Sequence, residues 1–355
     1  MALCRVAVVR ERSRDVMAYK LARGGWSGTE AVAVAKMSSG DAVMSCEAAI
    51  AGASSTGWSR SASAGHPYWE RPRLLRVRDV SLFTEVIGHG YPLVLMHGGP
   101  SADHFTLLPF RRLADQYTLI FYDHRCNGRS VGAPISSMTW DNLTADAEAL
   151  RQRLGFERWA VLGHSFGGQV ALEYALRYPA SLSHLILLDT QGDSWWPQQN
   201  AADLLARRGY SAKKAELVRR WLNGDFSPRE YLPIALRIGD VYCHGSFLWL
   251  AVRDTIRGQW RQKLRPQAWI FAGRQLWKGW TVMDRLGEIS VPTLVMAGRD
   301  DVLAPPEHQG QLAAGIPYAR LQIVERAGHE PYSERPAEVM AAITHFLTGG
   351  VVPGA

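Results

Sequence analysis

Four short runs in this chain are apolar at every position: Leu93-Val94-Leu95-Met96, Leu119-Ile120-Phe121-Tyr122, Leu185-Ile186-Leu187-Leu188 and the run ending Leu294-Val295-Met296. A fifth, Arg158-Trp159-Ala160-Val161-Leu162, is nearly so. A strand without polar alternation is covered on both faces, which requires a parallel sheet between two layers of helices. The intervening segments fit that demand. Phe105–Asp115 and Gln169–Leu176 read as helices, and Trp140–Leu154 carries Leu143, Ala147, Leu150 and Leu154 on one face. Val77–Val86 alternates as one or two edge strands. Leu321–Val324 is the last strand, and Ala337–Leu347 closes the pattern as a helix. The prediction is an α/β fold, a mostly parallel sheet with helices on both faces.

The alternation stops between Gln191 and about Arg285. No buried-strand run occurs there, and helix-like stretches (Asn200–Arg208, Ala212–Trp221, Phe247–Trp260) take its place. Eight of the thirteen tryptophans lie in this stretch. An insertion at the carboxyl end of a strand lies over the crevice where open α/β sheets bind ligands. The expectation is a helical cap inserted after the sixth strand. The predicted organisation is an extension over 1–72, a first core part over 73–190, the cap over 191–285 and a second core part over 286–349. The extension is rich in Gly, Ala and Ser, without sustained periodicity, and is expected to be poorly ordered. Its apolar runs are short and broken by Glu30, Lys36, Asp41 and Glu47, unlike a secretory signal.

Charge excludes some functions. The net charge of +7 is scattered, with no basic run of five, so a nucleic-acid partner is not expected. No stretch approaches eighteen uncharged apolar residues, so no membrane span is expected. Cys4, Cys46, Cys126 and Cys243 form no paired spacing, so neither a zinc site nor a disulfide framework follows. A cytoplasmic protein acting on a small-molecule substrate is expected.

Gly163-His164-Ser165-Phe166-Gly167 sits between a strand and a helix. A serine flanked by glycines on such a turn is a nucleophile elbow. The glycines let strand and helix close on each other, and the helix aims its first N–H groups where negative charge will develop. The base that such a serine needs is found in Ala327-Gly328-His329-Glu330-Pro331, just past the last strand. The acid is found in Gly298-Arg299-Asp300-Asp301, also at a strand end, with Asp300 or Asp301 the residue and Asp189 a more distant candidate. The roles are a proton relay. His329 takes the Ser165 proton, and the acid fixes the imidazole tautomer. His97-Gly98-Gly99-Pro100 follows the first buried strand, and an oxyanion hole is expected from the N–H groups of Gly99 and Phe166. His97, Gly98, His164, Trp195 and Trp249 are expected on the substrate-pocket wall.

The motifs His97–Pro100, Asp123-His124-Arg125-Cys126-Asn127-Gly128-Arg129-Ser130 and Gly163–Gly168 together resemble the α/β-hydrolase superfamily, and within it the proline iminopeptidase-related group. The resemblance covers roughly residues 74–348. It implies an α/β-hydrolase fold, a Ser165–Asp301–His329 triad and chemistry without cofactor or metal. It selects Asp301, the Asp four before Pro305. Two departures separate the chain from true proline iminopeptidases, namely Phe166 in place of Trp after the nucleophile and the lack of an acidic Trp-Glu motif in the cap. Residues 191–285 hold sixteen Lys/Arg against eight Asp/Glu, a field unsuited to a cationic amine. The expected function is a serine hydrolase cleaving a small ester, lactone or amide through an acyl-serine intermediate. The alternatives are a proline iminopeptidase-type aminopeptidase and a ligand-sensing protein with a slow triad.

Overall fold

The computed structural model describes residues 17–20, 32–35, 72–248, 252 and 261–349. The chain divides into two units, Met1–Gly57 and Trp58–Ala355. In the first, β1 (Met17–Lys20) pairs antiparallel with β2 (Val32–Ala35), in a region where the sequence shows no strand pattern. Strands this short leave too few positions for a period to show.

The second unit is built on an eight-stranded sheet. Its strands are β3 (Arg73–Val77), β4 (Val80–Ile87), β5 (Tyr91–Met96), β6 (Tyr117–Tyr122), β7 (Trp159–His164), β8 (Leu182–Leu188), β9 (Thr293–Gly298) and β10 (Ala319–Val324). The order is β10-β9-β8-β7-β5-β6-β4-β3. The pairs β3–β4 and β4–β6 are antiparallel, and the rest are parallel. The uninterrupted apolar runs are the inner strands, and β6, β7 and β9 are buried at every position. Successive side chains divide between two cores. Val94, Met96 and Val161 join one face; Leu93, Leu95 and Leu162 join the other.

Helices cover both faces. The first face takes α1 (Trp140–Arg153) and α2 (Phe166–Arg177), through residues such as Leu143, Leu150, Val170 and Leu172. Thr139 caps α1 by accepting the Asn142 N–H, and Arg151 and Arg153 sit in its last turn. The second face takes α9 (Pro336–Leu347), whose first residue is proline. The expected helix over Phe105–Asp115 is a 3-10 segment instead, His104–Leu113. Pro109 lies within it and has no N–H to give to an α-helical ladder.

Between β8 and β9 the chain forms α3 (Trp195–Arg207), α4 (Ala212–Leu222), α5 (Tyr231–Ile238) and α6 (Pro266–Phe271). Helix α5 is absent from the sequence reading for a physical reason. Tyr231, Ile234 and Ile238 face inward, yet the outward Leu232 and Leu236 are apolar too, so no period stands out. The expected helix over Phe247–Trp260 lies mostly outside the described residues. After β9 come α7 (Pro306–Gly315) and, after β10, the single turn α8 (Pro331–Glu334). No helix among the described residues is long and apolar enough to cross a membrane.

Candidate active site

Parallel strands put their carboxyl ends at one edge of the sheet. The order places β5 between β6 and β7, so the crevice opens where the chain reverses direction across the sheet, beside the loops that follow β5 and β7. Ser165 stands at that point, between β7 and α2, with φ 53° and ψ −120°. A left-handed φ is a strained state for serine, and the surroundings enforce it. The Ser165 N–H donates to the Leu188 carbonyl at 2.9 Å, and its own carbonyl accepts from the Gly168 N–H at 2.9 Å and the Thr190 hydroxyl at 2.6 Å. The flanking glycines are required by contact. A Cβ on Gly163 would meet the Gly168 Cα at 2.6 Å, and one on Gly167 would run into the Met96 carbonyl.

His329 arrives from the loop after β10. Its Nε2 lies 2.9 Å from the Ser165 hydroxyl, and its Nδ1 lies 2.7 Å from Asp301 Oδ2. Its N–H donates to the Tyr242 carbonyl at 2.8 Å, which ties this loop to the segment after α5. Asp301 is fully buried, and its Oδ1 accepts the Leu303 N–H at 2.7 Å. Asp300 points elsewhere, with Oδ2 2.5 Å from Nδ1 of the exposed His244. Asp189 is buried beside the pair and bonds the Gly298 N–H at 2.8 Å.

These contacts set the charges. Burial pulls the His329 pKa down, but the Asp301 charge and hydrogen bond outweigh it and leave it raised above 6.5. Burial pushes Asp301 up, yet His329 and the N–H groups of Leu303 and Ala304 hold it below the ordinary carboxylate value. A base must be neutral to accept a proton. The kcat/KM of a slow substrate should therefore fall as pH drops through a midpoint above about 6.5. A profile from pH 5 to 9 checks this, and a midpoint below about 6 would contradict it.

The other predicted site residues separate. Gly98, Gly99 and His164 line the same cavity of about 410 Å³ as Ser165 and His329. Among the described residues, the N–H groups of Gly99 and Phe166 find no acceptor. His164 lies under the base. Burial lowers its pKa to about 3, so it is neutral, and its Nε2–H donates to the His329 carbonyl at 2.8 Å. His97 is not on the wall. It is fully buried behind the loop, bonding the Gly98 carbonyl through Nδ1 and accepting the His124 N–H through Nε2. Trp195 is not on the wall either; it is 50% exposed at the start of α3. Trp249 lies outside the described residues.

The wall itself is aromatic. Trp221 and Trp269 pack at 4.4 Å between ring centroids, and Trp221 and Tyr231 at 4.9 Å. Their polar groups are spent on one another. Trp269 donates to the Trp221 carbonyl, Trp221 donates to the Tyr242 hydroxyl, and Tyr231 bonds Ser101. What faces the cavity is largely ring surface, extended by Leu232, Leu236 and Leu264. The basic excess counted from the sequence does not reach the described part of the cavity wall. No Lys or Arg among the described residues lines the cavity; Arg220 pairs with Glu230, and Lys214 with Asp240, elsewhere. Glu330, next in sequence to His329, is the acidic residue on the wall, and its position beside the base was the available signal for it.

Asp189, Asp301 and His329 are the one group of three metal-type donors among the described residues, with donor atoms within 4.8 Å of one another. A cation there would have to break the Asp301–His329 hydrogen bond.

Residues 91–336 match the family model described as alpha/beta hydrolase fold. The chain belongs to the alpha/beta hydrolase fold family. It is similar to a proline iminopeptidase of Heyndrickxia coagulans, 25% identical over 292 residues, covering 73% of this chain and 91% of that one. Among solved structures it is similar to the proline iminopeptidase of Mycobacterium smegmatis, with TM-score 0.63, 25% identity and coverage of 78% and 97%. It also shares its fold with an esterase from Exiguobacterium antarcticum, with TM-score 0.61, 22% identity and coverage of 78% and 100%. The alpha/beta hydrolase fold thus read from the motifs is shown, and with it a hydrolase.

Proposed function

We propose that the protein hydrolyses neutral, largely apolar acyl compounds, esters or lactones first, through an acyl-Ser165 intermediate. The observation that carries this reading is the continuous set of contacts from Asp301 through His329 to Ser165 at the mouth of an aromatic cavity. His329 takes the Ser165 proton as the hydroxyl oxygen attacks the acyl carbon. The N–H groups of Gly99 and Phe166 receive the oxyanion. His329 then returns the proton to the leaving group, and water repeats the sequence to release the acid. The helical insertion serves as the cap that supplies the acyl-binding wall. Each methylene buried there is worth about 0.8 kcal/mol, roughly fourfold in kcat/KM.

A second reading, an aminopeptidase, is favoured by Glu330, the one acid on the wall among the described residues that could meet a protonated α-amine. Asp193, Glu230 and Asp240 do not line the cavity. A panel of p-nitrophenyl esters of increasing acyl length, lactones and proline p-nitroanilide decides between them. The expected result is kcat/KM that rises with acyl length and falls when a free α-amine is added. Faster turnover of proline p-nitroanilide than of matched neutral esters, lost with N-acetylation and in Glu330→Gln, would establish the aminopeptidase.

A further inference from the structure

Asp189 is a buried acid that the acyl-transfer mechanism does not use. It directly follows β8 at φ 42°, a positive φ that is uncommon for residues other than glycine. Its bonds run to β9, the strand that delivers Asp301. The Asp189 N–H donates to the Met296 carbonyl at 2.9 Å, and Oδ1 accepts the Gly298 N–H at 2.8 Å. The other oxygen, Oδ2, is buried and receives no hydrogen bond. One oxygen of Asp189, one of Asp301 and one nitrogen of His329 lie within 4.8 Å of one another.

The charged groups around it decide its state. Asp301 faces it from the loop after β9, and His329 and Glu334 from the loop and turn after β10. Asp301 and Glu334 are both acids. Two carboxylates this close, out of water, do not both ionise. Asp301 has the better claim to the charge, with the His329 imidazole and two backbone N–H groups. Asp189 has the Gly298 N–H alone. Burial and the Asp301 charge accordingly push the Asp189 pKa far up. A proton on Oδ2 explains why that oxygen has no donor: it is itself one.

We propose that Asp189 is a neutral carboxylic acid whose Oδ2–H donates to the Asp301 carboxylate and holds it in line with His329. It is a positioning residue. With the N–H groups of Leu303 and Ala304 and the His329 Nδ1–H, this fourth donor pins the Asp301 rotamer from a second strand. The proposal rests on the relay described above, so its test includes a readout taken without turnover.

Infrared difference spectra should show a protonated carboxyl band at pH 8 that disappears in Asp189→Asn. Absence of that band from the wild-type protein overturns the proposal, whatever the activity. Asn retains both an acceptor for Gly298 and a donor for Asp301. Asp189→Asn should therefore keep kcat within about threefold and the acid limb of the pH profile within about 0.3 unit. If Asp189 were ionised, removing its charge beside His329 would lower that limb by about a unit or more, and this result also overturns the proposal. Asp189→Leu removes the donor and should lower kcat about 10- to 100-fold with KM nearly unchanged, as losses of supporting hydrogen bonds do elsewhere. Unimpaired turnover in Asp189→Leu refutes the positioning role; should that variant fail to fold, the spectrum and the Asn variant still decide. Loss of the relay itself is read separately, from probe labelling of Ser165.

Discussion

Ser165→Ala should abolish labelling by a fluorophosphonate probe and lower turnover by about 10³ or more. The magnitude follows from what alanine leaves behind. On the proposed mechanism, the N–H groups of Gly99 and Phe166 and the aromatic wall remain to bind and polarise a substrate, so the site keeps its electrostatic part. What it loses is the one atom within reach of the base, since His329 Nε2 has the Ser165 hydroxyl at 2.9 Å. The backbone does not need the hydroxyl, because the strained turn is held by the Leu188 carbonyl, the Gly168 N–H and the Thr190 hydroxyl. Folding should therefore be preserved, and a thermal melt checks that the loss is chemical. Persistent labelling of the variant would place the nucleophile elsewhere.

The parts of this molecule legible in its sequence are those where local chemistry and global fold agree. Ser165 could be read because the elbow imposes glycines at fixed positions on both sides of it. The inner strands could be read because burial on both faces leaves no polar position to blur them. Strand-end position points to His329 and to Asp300 or Asp301 alike; the family resemblance, not the position, selects Asp301. The wall was less legible. Trp195 and Trp221 look alike in sequence, but one is half exposed on α3 and the other packs on Trp269 over the cavity. Which way a helix of the insertion faces is decided by contacts distant in sequence. The same holds for the charge of the insertion. A count of Lys and Arg carries no positions, and the structure commits Arg220 and Lys214 to acids away from the cavity. The loop of His97 lines the cavity through Gly98 and Gly99, whereas the His97 side chain turns back to hold the Gly98 carbonyl, a direction that sequence does not carry.

Asp301→Asn should lower kcat by about 10⁴ while leaving the fold in place. In the native site Asp301 Oδ2 accepts from His329 Nδ1, which forces the imidazole lone pair onto Nε2, facing Ser165. An amide can turn its nitrogen toward Nδ1 and donate there. The proton then moves to Nε2, and the ring can no longer take one from the serine. The imidazolium formed during attack also loses its counter-charge in a buried site. Asp300→Asn is the matched control. Its carboxylate faces His244 at the surface rather than His329, so that variant should retain near-normal turnover. The decisive pattern is the contrast. A loss confined to position 301 assigns the acid, whereas a comparable loss at 300 would mean that the His329 tautomer is governed from outside the buried pair. The measurement is kcat for one slow ester across both variants, with a pH profile of each. Raising the pH should not rescue Asp301→Asn, because the fault lies in which nitrogen holds the proton and not in how many protons the ring carries.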